Sequence, residues 1–361
     1  MRNPLKLALA AALLPILSAG AFAAETSFED LGSAAASGAA LGASMRALAQ
    51  GPGKAAQAAA AAAPRGADLR SQFPDAGERN QGDVGSCHAF GSIAVLEAAY
   101  YRKNGLHLQL SEDDLFLRRT VLSGDVYSEF CASGKCELSE GNDPAGDISY
   151  ALDHGVLSGN SYAQFVKRYV AYRAAEQRTL EGLQKMRDQQ GWLEKLLYDP
   201  REHWKELQTN AQSKKILSDY LEGRDRNSDA ERAKVKAAFA GFALKSKSFP
   251  FIGGADATKL SDAECRKQGE AQIESLTAEL SGGRPVVVSM SLSGLPAWGQ
   301  TDKTKHANHA FMVVGFTDKD GARTFHSRNS WGGDNPDVPA SQLCRVYGMS
   351  TVLASGETSK L

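Results

Sequence analysis

The stretch Asn80-Gln81-Gly82-Asp83-Val84-Gly85-Ser86-Cys87-His88-Ala89-Phe90 decides the reading of this 361-residue chain. A Gly-rich turn runs into a cysteine. After Cys87 the apolar residues Phe90, Ile93, Ala94, Leu96 and Ala98 recur at helical spacing. Arg102 and Lys103 fall in the last turn, and Asn104-Gly105 ends it. Cations suit the negative end of a helix, and glycine suits its C-terminal cap. Cys87 therefore opens a helix, where the positive end favours a thiolate, the reactive form of cysteine. An isolated cysteine in such a place is as a rule a buried, inert thiol. The flanking Gln-Gly and Gly-Ser turn the reading toward a nucleophile.

A thiol nucleophile needs a base. Of the seven histidines, His309 starts an apolar run, Ala310 to Phe316, that reads as a buried strand. Thr317-Asp318-Lys319-Asp320-Gly321 is a turn, and Arg323 to Arg328 a second strand ending at Asn329. The pair predicts a β-hairpin centred near Lys319, which places His309 and Asn329 as cross-strand neighbours. An amide oxygen at Asn329 can fix the imidazole tautomer and leave the other ring nitrogen to face Cys87, giving a thiolate–imidazolium pair. His107, His154, His203, His306 and His326 have no such surroundings and read as surface or packing residues.

These segments resemble the active-site motifs of papain-like cysteine proteases (peptidase C1-like). Gln81-Gly82 and Gly85-Ser86-Cys87 resemble the family's nucleophile segment. Asn329-Ser330-Trp331-Gly332 resembles its Asn-Ser-Trp-Gly, whose Trp shields the His–Asn bond from water. The resemblance implies that the Gln81 amide and the Cys87 backbone N–H hold the oxyanion. Leu110-Ser111-Glu112-Asp113-Asp114-Leu115 resembles the family's Leu-Ser-Glu-x-x-Leu, in which Ser opens a helix and Glu follows as a capping acid. Gly141 resembles the first glycine of a substrate-binding Gly-Gly pair, with Asn142 in place of the second. Gly155-Val156 resembles the turn after the next helix, and Gly283-Arg284-Pro285-Val286 the entry to a strand. Two departures stand out. His88 occupies a position the family usually fills with Trp, which bears on the pocket wall or the local pKa. Val84 replaces a common cysteine, so that bridge is absent.

The implied fold is α+β: a helical left domain and an antiparallel β-barrel-like right domain. The chain divides into residues 1–23, 24–66, 67–162, 163–247 and 248–361. The first reads as a secretory signal, with Arg2 and Lys6, an apolar Leu7–Ile16 and a small-residue Ala21-Phe22-Ala23. Its apolar core is short for a bilayer span of ~20 residues. The signal implies export from a bacterial cell, periplasmic or extracellular, with no stable membrane span. Residues 24–66 are an Ala/Gly-rich linker or short pro-segment. Residues 67–162 carry the nucleophile, and 248–361 carry the His and Asn. Residues 163–247 read as an inserted, charged helical subdomain. With 18 Lys+Arg and 12 Asp+Glu over 161–247, the segment is net positive. Removing about 85 residues brings the Cys87–His309 separation close to the ~130–150 of the family. Its bland role is a solvated face; its sharper roles are a lid, a built-in inhibitor or a docking surface for a partner.

The formal charge is −1, and −3 without residues 1–23, which hold two basic and no acidic residues. Neither value suggests nucleic acid as a partner. In an exported chain the four cysteines beyond Cys87 favour disulfides, with Cys131–Cys136 and Cys265–Cys344 preferred among three pairings. No metal or cofactor is implied. The expected activity is peptide-bond hydrolysis through a Cys87 thioester, with a peptide or protein as substrate. The alternatives are a transpeptidase or amidase acting on cell-wall peptides, and an inactive papain-like binding protein.

Overall fold

A computed structural model of the chain describes residues 66–73, 79–121, 140–159, 165–166, 169–170, 172–174, 228–252, 256, 258–301, 307–333 and 335–361. Cys131, Cys136, His203, His306 and most of 163–247 lie outside these residues. Among them, seven strands form one sheet: β1 (Gly66–Asp68), β2 (Ala243–Ser248), β3 (Val286–Ser291), β4 (Asn308–Lys319), β5 (Ala322–Arg328), β6 (Val338–Pro339) and β7 (Val346–Leu353). The order is β2-β7-β3-β4-β5-β6, with β1 also on β4, and every pairing is antiparallel.

The apolar run at 310–314 is explained by helices on both faces of β4. Val287, Ala310, Met312 and Val314 belong to a core shared with helix α1 (Cys87–Asn104). Val286, Val288, Phe311 and Val313 join Leu276 and Leu280 of α6 (Glu270–Ser281) in a second core. Strands covered on both faces need no polar alternation. The α1 helix is buried from His88 through Tyr100, more completely than a single apolar stripe predicts. It packs on β4 and also on α2 (Glu112–Phe116) and α3 (Pro144–His154). Its end is as expected: Gly105 is left-handed at the C-cap, with φ 67°.

The hairpin turn is Asp320-Gly321, both with positive φ, and Lys319 pairs with Ala322. The centre thus lies beyond Lys319, and the register shifts once more between Val313 and Gly315. Met312 pairs with Arg328, so Asn329 follows opposite Phe311 and is a diagonal neighbour of His309, not its direct partner. The two-residue turn and the bulge account for the difference.

Residues 243–247, read from sequence as the end of a helical insertion, belong to β2 at the sheet edge, paired with β7. Lys245 and Lys247 on an edge strand are what masks its β pattern. Within the same insertion, α4 (Ser228–Ala238) docks through Arg232, which bonds both Asp114 oxygens at 2.9 and 3.1 Å. Near its start, Phe165, Tyr169 and Tyr172 are buried in the helical core, and Phe165 and Tyr169 set their rings edge-on against Phe116. The pairing of Cys265, on α5 (Asp262–Gln268), with Cys344 is present.

Candidate active site

The Gly82–Ser86 turn delivers the chain into α1, and Cys87 is its first residue. Ser86 makes no side-chain cap, so it leaves the first N–H groups of the helix unclaimed by its hydroxyl. The Ala310 backbone N–H points at the Cys87 sulfur from β4, which places the thiol one residue from His309.

His309 Nε2 donates to Asn329 Oδ1 at 2.6 Å, and the same oxygen accepts the Ser330 N–H at 2.8 Å. The second bond fixes which amide atom faces the ring. Nδ1 makes no hydrogen bond among the described residues, so its lone pair is available as a base. Trp331 stacks on the imidazole, with ring centroids 4.4 Å apart and 27° between planes. Trp298, which the sequence did not single out, closes the other side edge-on at 6.0 Å, and packs on Trp331 and Phe311. It lies in a short Pro-Ala-Trp-Gly turn with no local pattern that ties it to a histidine eleven residues on.

Gln81 is buried and held at both ends. Its Nε2 donates to Val84 O at 2.8 Å, its Oε1 accepts from the Ser330 hydroxyl, and its backbone N–H bonds Ser330 O at 2.8 Å. Asn80 pairs with Trp331 in an isolated bridge, so the Gln-Gly and Asn-Ser-Trp segments form one backbone unit.

Burial dominates the electrostatics. It pulls the His309 imidazole down to about 4, against the Asn329 bond that favours the charged ring. Burial also pushes the Cys87 thiol up, with the Asp147 carboxylate adding to the rise and the Ala310 and His88 N–H groups opposing it. Both directions disfavour the charged form of each group taken singly, with burial the largest cause in each.

His88 does not line a pocket wall. It is 1 % exposed, its Nε2 donates to Glu140 O at 3.0 Å, and its Nδ1 lies 2.5 Å from Asp147 Oδ2. Glu112 is likewise not a capping acid. Ser111 caps α2 by accepting the Asp114 N–H, while Glu112 is buried against Arg79, which also makes two 2.9 Å bonds to Glu97. Gly141 is exposed. The Asn142 amide turns back to Arg119 O and Thr120 Oγ1, both at 3.4 Å.

Residues 63–191 match the model of the papain family cysteine proteases. Over that stretch the chain is similar to the papain family. The match continues past Tyr162 into the segment read from sequence as an insertion. No curated protein matches. Among solved structures, the chain is similar to digestive procathepsin L 3 from the larval midgut of Tenebrio molitor, at 13% identity and TM-score 0.40, covering 81% of this chain and 71% of that one. It is also similar to xylellain, a cysteine protease from Xylella fastidiosa, at 16% identity and TM-score 0.45, covering 81% and 87%. A third is the bromelain protease from Ananas comosus, solved with the E64 inhibitor, at 15% identity and TM-score 0.36, covering 81% and 100%. The papain-family match contains Gln81 and Cys87; His309 and Asn329 lie beyond it and rest on their own geometry.

Proposed function

We propose that the chain is an exported cysteine peptidase in which Cys87 is the nucleophile, His309 the general acid and base, and Asn329 the orienting residue. The observation that carries this is the Nε2–Oδ1 bond between His309 and Asn329 beneath Trp331. It commits Nε2 as donor and leaves Nδ1 unprotonated, the state a base acting on Cys87 needs. As the Cys87 sulfur attacks a peptide carbonyl, Nδ1 takes the thiol proton. The tetrahedral oxyanion is received by the Gln81 amide and the Cys87 N–H. His309 then protonates the leaving amine, and a water attacks the thioester with His309 as base.

Replacing Cys87 or His309 by alanine should abolish hydrolysis of a peptide library while the melting temperature stays within a few degrees. Persisting hydrolysis in a folded Cys87→Ala chain would sink the proposal. Adding an amine acceptor to the reaction separates hydrolysis from transpeptidation by the products formed. Export through residues 1–23 is part of the proposal, and cleavage after Ala23 in a secreting host checks it.

A further inference from the structure

We propose that Glu140 and Arg173 are positioning residues for the oxyanion turn, which makes the inserted segment part of the catalytic apparatus; this rests on the peptidase reading above. The turn from Gly82 to Ser86 links the two donors of that reading, Gln81 and the Cys87 N–H. Two glycines give it little stiffness of its own. Val84 offers no thiol to tether it. Gln81 is fastened to Ser330 and its amide holds Val84 O, which leaves Asp83 O and the Gly85 N–H to be held from elsewhere.

Both are gripped from outside. Glu140 Oε2 accepts the Gly85 N–H at 2.5 Å, immediately before Ser86 and Cys87. Arg173 Nη1 donates to Asp83 O at 2.6 Å and to both Glu140 oxygens at 3.1 and 3.2 Å. One guanidinium and one carboxylate thus hold the backbone on both sides of Val84. The approach is close: a Cβ on Gly85 would lie 2.7 Å from Glu140 Cβ, so only glycine lets the carboxylate reach the N–H. The Glu140 and Arg173 side chains are 10% and 27% exposed, a setting in which charge-assisted bonds gain strength. Arg173 is itself anchored, since Phe165, Tyr169 and Tyr172 beside it are buried in the helical core. Glu140 is fixed from the far side as well, where its carbonyl accepts from His88.

The two charges have unequal roles. Glu140 brings a negative charge next to a turn that must receive an oxyanion, and Arg173 offsets it. Loss of Arg173 both loosens the turn and uncovers that charge. Glu140→Gln keeps an acceptor for Gly85 and removes the charge. Arg173→Ala should therefore be the more damaging change.

The test uses the full chain and two reactions of Cys87. Peptide hydrolysis needs the oxyanion donors; alkylation by iodoacetamide needs the thiol and no oxyanion site. Arg173→Ala is expected to lower kcat about a hundredfold, the scale of a misplaced oxyanion donor, with KM and the alkylation rate within about twofold. Arg173→Lys and Glu140→Gln should retain most of kcat, and they carry the test if the alanine variant does not fold. Unchanged kcat in Arg173→Ala, with the wild type active, overturns the positioning role alone. Hydrolysis and alkylation falling together with the melting temperature would also overturn it, leaving a structural tie. A wild-type chain that alkylates at Cys87 but cleaves no peptide brings down the peptidase reading and this role with it.

Discussion

His309 sits between Trp331 and Trp298 with one nitrogen committed to Asn329, a setting that disfavours a charged ring. Its value near 4 has a kinetic consequence. The imidazole must be neutral to take the thiol proton, and kcat/KM reports the free enzyme. The acid limb of kcat/KM should therefore have its midpoint near pH 4. Asn329→Ala removes the bond that favours the charged ring, so the midpoint should move lower still, and kcat should fall as the ring loses its orientation. A pH–rate profile of both proteins checks this; a midpoint that rises in the variant contradicts the assignment. Cys87, Gln81, His309, Asn329 and Trp331 were legible because each sits in a short local motif. Glu140, Asp147 and Arg173 were not. Asp147 in the first turn of α3 reads as a helix-dipole partner, and Arg173 as one cation on a charged face. Only tertiary approach gives them His88 and Gly85 as neighbours.

At the level of elements, caps carried most of what could be read. The α1 start and end, the Ser111 cap and the Gly155 cap of α3 are chosen within four residues of where they act. The β2 strand was missed because its partner β7 lies a hundred residues on, and two-thirds of its own residues are lysine or serine. Gly155 offers the sharpest test of an element boundary. It has φ 75° and ψ 166°, a conformation nearly closed to other residues. A Cβ there would lie 2.1 Å from Arg232 O, which is backbone and cannot swing aside. Gly155→Ala should separate α3 from α4 and cost about 3 kcal/mol or more, by analogy with strained and overpacked sites. Ser111→Ala, which removes the cap bond and the hydroxyl's bond to the buried Asp113 carboxylate, should cost less, about 1–2 kcal/mol. Urea denaturation of the two variants should preserve that order.

Across the whole molecule, two buried sites set opposing dependences on pH. Beneath the active site, burial raises Glu112 to about 7 despite Arg79, and pushes Glu97 up as well, with Arg79 and Arg328 opposing. The unfolded carboxyl titrates near 4.5, so between about 4.5 and 7 the folded chain holds a proton that the unfolded chain has lost. This contribution is complete below 4.5 and disappears as pH rises through 7. His309 acts in the reverse sense. Unfolded, it takes a proton near 6.5; folded, it stays neutral down to about 4. Its contribution is complete above 6.5 and disappears as pH falls toward 4. Each displacement is worth on the order of 3 kcal/mol, so the two slopes largely offset each other, with Glu97 tipping the balance toward the acid side. Removing His309 should leave the buried carboxyls unopposed. His309→Ala should make unfolding free energy fall with pH between 4.5 and 6.5, more steeply than in the parent chain. Urea titrations at those two pH values would read the sign directly. If stability in His309→Ala does not fall with pH, then Arg79 holds the cluster charged, and burial is not what governs it.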